Sequence, residues 1–225
     1  LVALLPNPQR ETIQIQLNSD VTQKLKTLSQ QNGVTLFMLL LTSFSVLLSR
    51  YSGQNDLIIG SPIANRNRAE LDSLIGFFVN SLPIRINLEN NPSFENLLQQ
   101  VKQTCLDAYA HQDIPFEKIV DELQIERNLT QNPLFQVMFD LQNELMSQFN
   151  LESLNLTPFP IQTQTAKFNL TLSFKETDLG LLGEWEYDFN LFHPDTIQRL
   201  NQHLQNLLQA IISNPTESIQ NLPLL

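Results

Sequence analysis

The stretch 36-LFMLLLTSFSVLLSRY-51 constrains this chain more than any other. A helix drawn over it is apolar nearly all round, so it belongs in the middle of a core rather than on a surface. It is too short to span a bilayer, and Thr42, Ser43, Ser45 and Ser49 interrupt it. It lies well inside the chain without a basic flank or cleavage signal, so it does not read as a signal peptide. A buried helix needs other elements around it. With 225 residues, 42% hydrophobic and 16% charged, the chain has enough to bury a sizeable core in one large domain or two small ones.

Those elements are legible on both sides. The run 12-TIQIQL-17 alternates as a strand does, and Ser19 offers an N-cap to a helix whose Val21, Leu25 and Leu28 form one face ending at Asn32-Gly33. Thr35 caps the central helix. A buried strand follows at 57-LIIGSPI-63, then a polar, partly helical connection over 66–74 and a strand over 78–88. After Ser93, the residues Phe94, Leu97, Leu98, Val101, Cys105 and Ala108 keep helical spacing. Pro115 opens a short helix over 115–123, and Pro194 opens the last, with Ile197, Leu200, Leu204, Leu207, Leu208 and Ile211 as its buried stripe. Strands are expected at 134–142, 168–174 and 182–189, the last two joined as a hairpin across 175–181. The stretch 143–166 has no clear period and reads as a long excursion. Irregular interleaving of strands and helices favours an α/β (α+β) two-layer sandwich over a doubly wound sheet.

Charge excludes some partners. Asp and Glu number 23 against 13 Lys and Arg, a net charge of −10, and no basic cluster offsets it. Neither nucleic acid nor an anionic membrane is expected as a partner. A single cysteine, Cys105, rules out an internal disulfide, and the chain reads as cytoplasmic.

The search for chemistry finds no complete constellation. None of the six glycines fits a phosphate loop, and Ser61 in 60-GSPIANR-66 lacks the second glycine of a nucleophile elbow. His111, His193 and His203 are far apart, so no metal site is expected. Cys105 belongs to an apolar stripe, and His193 sits at the start of a helix. His111 and Asp113 in 111-HQDIPFEKI-119 read as residues that fix a turn through side chain to backbone bonds.

One stretch stays unexplained: 75-IGFFVNSLPIR-85 sets Asn80 and Ser81 inside an apolar run, and an unpaired buried amide costs about 1–3 kcal/mol. Together with 60-GSPIANR-66, 111-HQDIPFEKIV-120 and 127-RNLTQNPLFQVMFDLQN-143, it resembles the C-terminal motifs of nonribosomal peptide synthetase condensation domains, in order and with similar spacing. The resemblance covers nearly the whole chain. It implies a chloramphenicol-acetyltransferase-like fold of two lobes around a tunnel, in which an acyl or peptidyl donor is joined to an aminoacyl acceptor. Both substrates arrive as thioesters on phosphopantetheine arms of carrier domains, and no cofactor is bound directly. The family's catalytic motif, HHxxxDG, belongs to the N-terminal lobe and is not in this sequence, where no two histidines are adjacent. The resemblance therefore implies a C-terminal lobe alone (residues 1–225) without a catalytic residue of its own. Its implied partners are the N-terminal lobe, carrier domains, a neighbouring adenylation domain and, through the exposed tunnel face, another copy of itself.

By that resemblance Asn80, Ser81 and Phe77 are expected on the tunnel wall, with Asn80 facing the cavity; the alternative is that Asn80 satisfies backbone groups at a strand irregularity. Arg66, Arg85 and Arg127 match motif arginines and are expected in structural ion pairs, and His111, Asp113 and Asn132 in supporting roles. Asn169 and Asn190 stand where the family often has Asp. Lobes of epimerization or cyclisation domains, and a non-catalytic recruiting module on the same scaffold, are the competing readings.

Overall fold

A computed structural model describes residues 9–66, 68–125, 132–142 and 165–225. Six strands form one mixed sheet in the order β1-β6-β5-β4-β2-β3. Strand β1 (Arg10–Asn18) leads into α1 (Ser19–Gln31) and α2 (Leu36–Ser52), then β2 (Asp56–Ile63), the single turn α3 (Ala69–Asp72) and β3 (Asn80–Asn87). Helices α4 (Phe94–Ala110) and α5 (Phe116–Glu122) follow, then β4 (Val137–Gln142), β5 (Leu170–Thr177), β6 (Gly180–Asp188) and α6 (Pro194–Ser213).

The expected two layers are present. Helices α1, α2, α4 and α6 cover one face of the sheet, with α2 among the others at the centre of the core. Its hydroxyls do not go unpaired in that setting. Thr42 donates to the Met38 carbonyl at 2.7 Å, Ser43 to Leu39 at 2.9 Å and Ser45 to Thr42 at 2.7 Å. Each bond returns a buried polar group to the helix's own backbone, which is how a polar residue is tolerated there. Thr35 caps α2 as expected, accepting from the Met38 amide at 3.2 Å, and Gly53 ends it in the left-handed region at φ 71°. No single helix among the described residues is long and apolar enough to cross a membrane.

Boundaries differ from expectation at several elements. The cap of α1 is Asn18, whose side chain accepts from the Val21 amide at 3.0 Å; Ser19 is already helical. Strand β3 starts at Asn80 rather than at 78, and β4 at Val137 rather than at 134. The β5–β6 hairpin is tighter than 175–181, with only Asp178 and Leu179 between the strands. Gly180 permits this: its φ is 118°, and a Cβ there would collide with the Leu17 carbonyl. Of the long excursion expected over 143–166, residues 143–164 lie outside the described residues.

Cys105 lies wholly inside the core, and burial pushes its thiol up to about 12. That fits a packing residue rather than a nucleophile.

A second, smaller apolar cluster occupies the opposite face of the sheet. Phe135 is 1% exposed and lies between Phe116 of α5, at 5.3 Å between ring centroids, and Phe168, at 5.6 Å. Gly60 of β2 lies under the Phe135 ring. The expected motifs 60–66, 111–120 and 127–143 thus meet here through glycine and phenylalanine.

Candidate functional site

The register of β2 with β3 decides where the 75–85 stretch points. Ile63 pairs Asn80, Ser61 pairs Leu82, Ile59 pairs Ile84 and Leu57 pairs Ile86. Leu82, Ile84 and Ile86 are buried against the helices, so pleat parity turns Asn80 towards the helical layer while Ser81, Pro83 and Arg85 face the other way. The Asn80 amide reaches the connection between α4 and α5. Its Nδ2 donates to the Gln112 carbonyl at 3.0 Å and the Ile114 carbonyl at 2.8 Å. Its Oδ1 accepts from the amides of Ser81 at 3.0 Å and Phe116 at 3.1 Å. A carboxamide has two donors and two acceptor positions, and here all of them serve main chain. Of the two readings of Asn80, the geometry matches the satisfaction of backbone groups at the start of a strand. It clamps the HQDIPF segment to β3.

Before β3 the chain projects outward. Ile75 is 104% exposed and Phe77 91%, with Leu74 and Val79 also open. Arg66 shapes this knuckle: one Nη donates to the Leu71 carbonyl and the other to Leu74 at 3.0 Å, while the guanidinium lies 4.3 Å over the Phe78 ring. Arg66 therefore makes no ion pair among the described residues, contrary to expectation. Its donors bind two main-chain carbonyls, one within α3 and one just after it. Arg85 does make the expected pair, a two-point contact with Asp56 at 2.9 and 2.7 Å that holds the Asp56 carboxyl below its ordinary range. Arg127 lies outside the described residues.

The remaining motif residues act locally. His111 ends α4 with its Nδ1 at 2.8 Å from the Asp107 carbonyl, and Asp113 is exposed in the turn that follows. Asn132 accepts weakly from the Leu134 amide at 3.4 Å, and its carbonyl accepts from Gln136 at 3.2 Å. Ser81 is half-buried opposite Pro62. No group of metal-ligating side chains converges among the described residues.

One titratable group carries no signal in the sequence. Asp140 lies near the end of β4, half-buried, and desolvation pushes its carboxyl up; hydrogen bonds from Gln142 and the Leu141 backbone offset this only in part. A carboxyl raised in the folded state binds protons more readily there than in the unfolded chain. Ionised Asp140 is thus a net cost at neutral pH, relieved as pH falls through the raised value. Asp140→Asn is expected to raise Tm by a few degrees at pH 7, with the gain shrinking towards pH 4. Thermal unfolding against pH checks this; an unchanged or lowered Tm at pH 7 contradicts it.

The arrangement brings no histidine within hydrogen-bond reach of a Ser, Thr or Cys side chain among the described residues; the Tyr51 hydroxyl meets His203 Nδ1 at 2.9 Å elsewhere, on the exposed surface. The arrangement offers an apolar knuckle, a clamped loop and a half-buried carboxyl on one body. Comparison with known proteins places that body. The condensation domain model matches residues 6–225. A linear gramicidin synthase of Brevibacillus parabrevis is 50% identical over 212 residues, which cover 93% of this chain and only 3% of that protein. The X-domain solved in complex with OxyB from teicoplanin biosynthesis superposes with TM-score 0.89 at 25% identity, over 98% of this chain and 49% of that one. A four-domain nonribosomal peptide synthetase bound to AMP and glycine gives TM-score 0.88 at 26% identity, over 98% of this chain and 18% of the other. The chain belongs to the condensation domain family of nonribosomal peptide synthetases.

Proposed function

We propose that this chain is the C-terminal lobe of a condensation domain and supplies a tunnel wall and a lobe interface rather than the catalytic histidine. In the reaction so served, the acceptor amine attacks the donor thioester carbonyl. A C–N bond forms, the C–S bond breaks and the carrier's phosphopantetheine thiol leaves. The observation that carries the reading is one of extent: 98% of this chain matches 49% of the X-domain chain, the share that one of two similar lobes would cover. The knuckle at Leu74, Ile75, Phe77 and Val79 supports it, since so much exposed apolar surface in one run marks an interface. Phe77 then packs at the lobe contact and Ser81 behind it. The clamp at Asn80 contributes by positioning the 111–116 turn rather than by touching substrate.

The test supplies an N-terminal lobe. The chain alone, given donor and acceptor carrier domains loaded on phosphopantetheine, is expected to form no dipeptide and to self-associate in sedimentation through the knuckle. Adding the N-terminal lobe of a condensation domain that carries HHxxxDG is expected to yield amide product and to replace self-association by a one-to-one complex. Product from the chain alone overturns the reading.

The likeness to the X-domain, solved in complex with OxyB, favours one second reading, a recruiting module without condensation activity. It predicts a one-to-one lobe complex that still makes no amide.

A further inference from the structure

Strands β2 and β4 run parallel in the sheet but pair at a single position, Gly60 with Met138. On the Asp56 side of that bridge they fork. Two apolar cavities open at the fork, one on each face of the sheet. The first, about 470 Å³, is walled by Leu48, Leu57, Val137, Leu170 and Leu200 on the helical face. The second, about 450 Å³, is walled by Pro83, Arg85, Ile119 and Leu123 on the other face. Asp56, Ile58 and Leu134 border both.

Among the described residues the backbone at the fork is open as well. The Leu88 amide donates to the Asn55 carbonyl at 2.6 Å, so odd-numbered residues of β2 direct their N–H and C=O groups at β3. Even-numbered residues direct theirs at β4. The prolines agree: Pro62 and Pro83 each stand where the missing N–H would point away from the β2–β3 ladder. Of the inward positions of β2, Gly60 is bridged and Pro62 has no donor. Asp56 and Ile58 remain, and no strand among the described residues pairs them.

We propose that this fork binds an extended peptide with consecutive apolar residues, which pairs its backbone with Asp56 and Ile58 of β2. Successive side chains of a strand point to opposite faces, so neighbouring residues of such a peptide enter the two cavities alternately. Main-chain pairing supplies the grip and the cavities supply the preference for apolar side chains. The site lies at the end of β2 remote from Ile63 and Asn80, and it goes beyond the lobe role proposed above.

The probe is the peptide acetyl-Lys-Thr-Leu-Val-Leu-Thr-Lys-amide, titrated into the intact chain and followed by amide NMR. Binding is expected to protect the Ile58 amide from hydrogen exchange. Two further versions, N-methylated on alternate sets of amides, separate backbone pairing from greasy contact. The set facing β2 is expected to weaken binding about tenfold, the other set less than about threefold. Ile58→Pro removes the inward donor without touching the β3 ladder and is expected to weaken the parent peptide by about tenfold at unchanged Tm. If that variant fails to fold, the N-methylated peptides on the parent chain decide. Equal binding by both methylated sets, or no binding of the parent peptide at about 1 mM, overturns the proposal.

Discussion

Asn80→Ala is expected to lower the unfolding free energy by about 2–4 kcal/mol, an effect far above that of an ordinary half-buried substitution. Four main-chain groups lose their partner at once: the carbonyls of Gln112 and Ile114 and the amides of Ser81 and Phe116. Water can reach some of them, which keeps the loss below four full desolvation penalties. Asn80→Asp is the sharper experiment. It keeps size and both acceptor positions but replaces the two donors with an anionic oxygen aimed at the Gln112 and Ile114 carbonyls. The loss is expected to equal or exceed that of alanine, with faster hydrogen exchange confined at first to 111–116. Urea unfolding of the three chains with exchange mass spectrometry checks it. An aspartate variant as stable as the parent would mean that the donors do not hold the turn.

What the sequence reveals and what it hides follow from the range of the forces involved. Helical stripes such as Phe94, Leu97, Leu98, Val101 and Cys105 are local periodicities, and each is buried where its spacing says. The central place of α2 was equally legible, since no charged residue occurs in 36–49 and Arg50 comes only in the last turn. Motif order identified the family. Side-chain direction at Asn80 was not legible, because it depends on which residue of β3 pairs Ile63, a contact between distant segments. Arg66 illustrates the same limit: its partners are the main-chain carbonyls of Leu71 and Leu74, and a carbonyl carries no sequence signature. Asp140 sits in a short apolar run that reads only as strand, and its perturbation comes from burial that spacing cannot show. The hardest case was the cluster on the second face. Its three phenylalanines come from positions 116, 135 and 168, each at the margin of an element and none in a periodic pattern.

That cluster gives the other large effect, through a residue with no side chain at all. Gly60→Ala places a Cβ inside the space of the Phe135 ring, touching its far edge on three atoms. The backbone conformation of Gly60 is not itself an obstacle, so the cost comes from packing alone. Phe135 cannot simply swing away: it is buried, edge-on to Phe116 and stacked with Phe168. Displacing it breaks both ring contacts and opens the surface that α5 covers. Overpacking of this kind costs about 1–3 kcal/mol, and the forfeited aromatic pairs add to that, so the loss is expected near the top of the range. A double-mutant cycle isolates the cause. Phe135→Leu alone is expected to cost about 1–2 kcal/mol through lost ring contacts, and Gly60→Ala in that background far less than in the parent. The coupling should therefore exceed about 1 kcal/mol in the compensating direction. Additive losses would mean that the glycine serves the β2–β4 bridge rather than the ring, and the motif 60-GSPIANR-66 would then owe its first residue to the sheet.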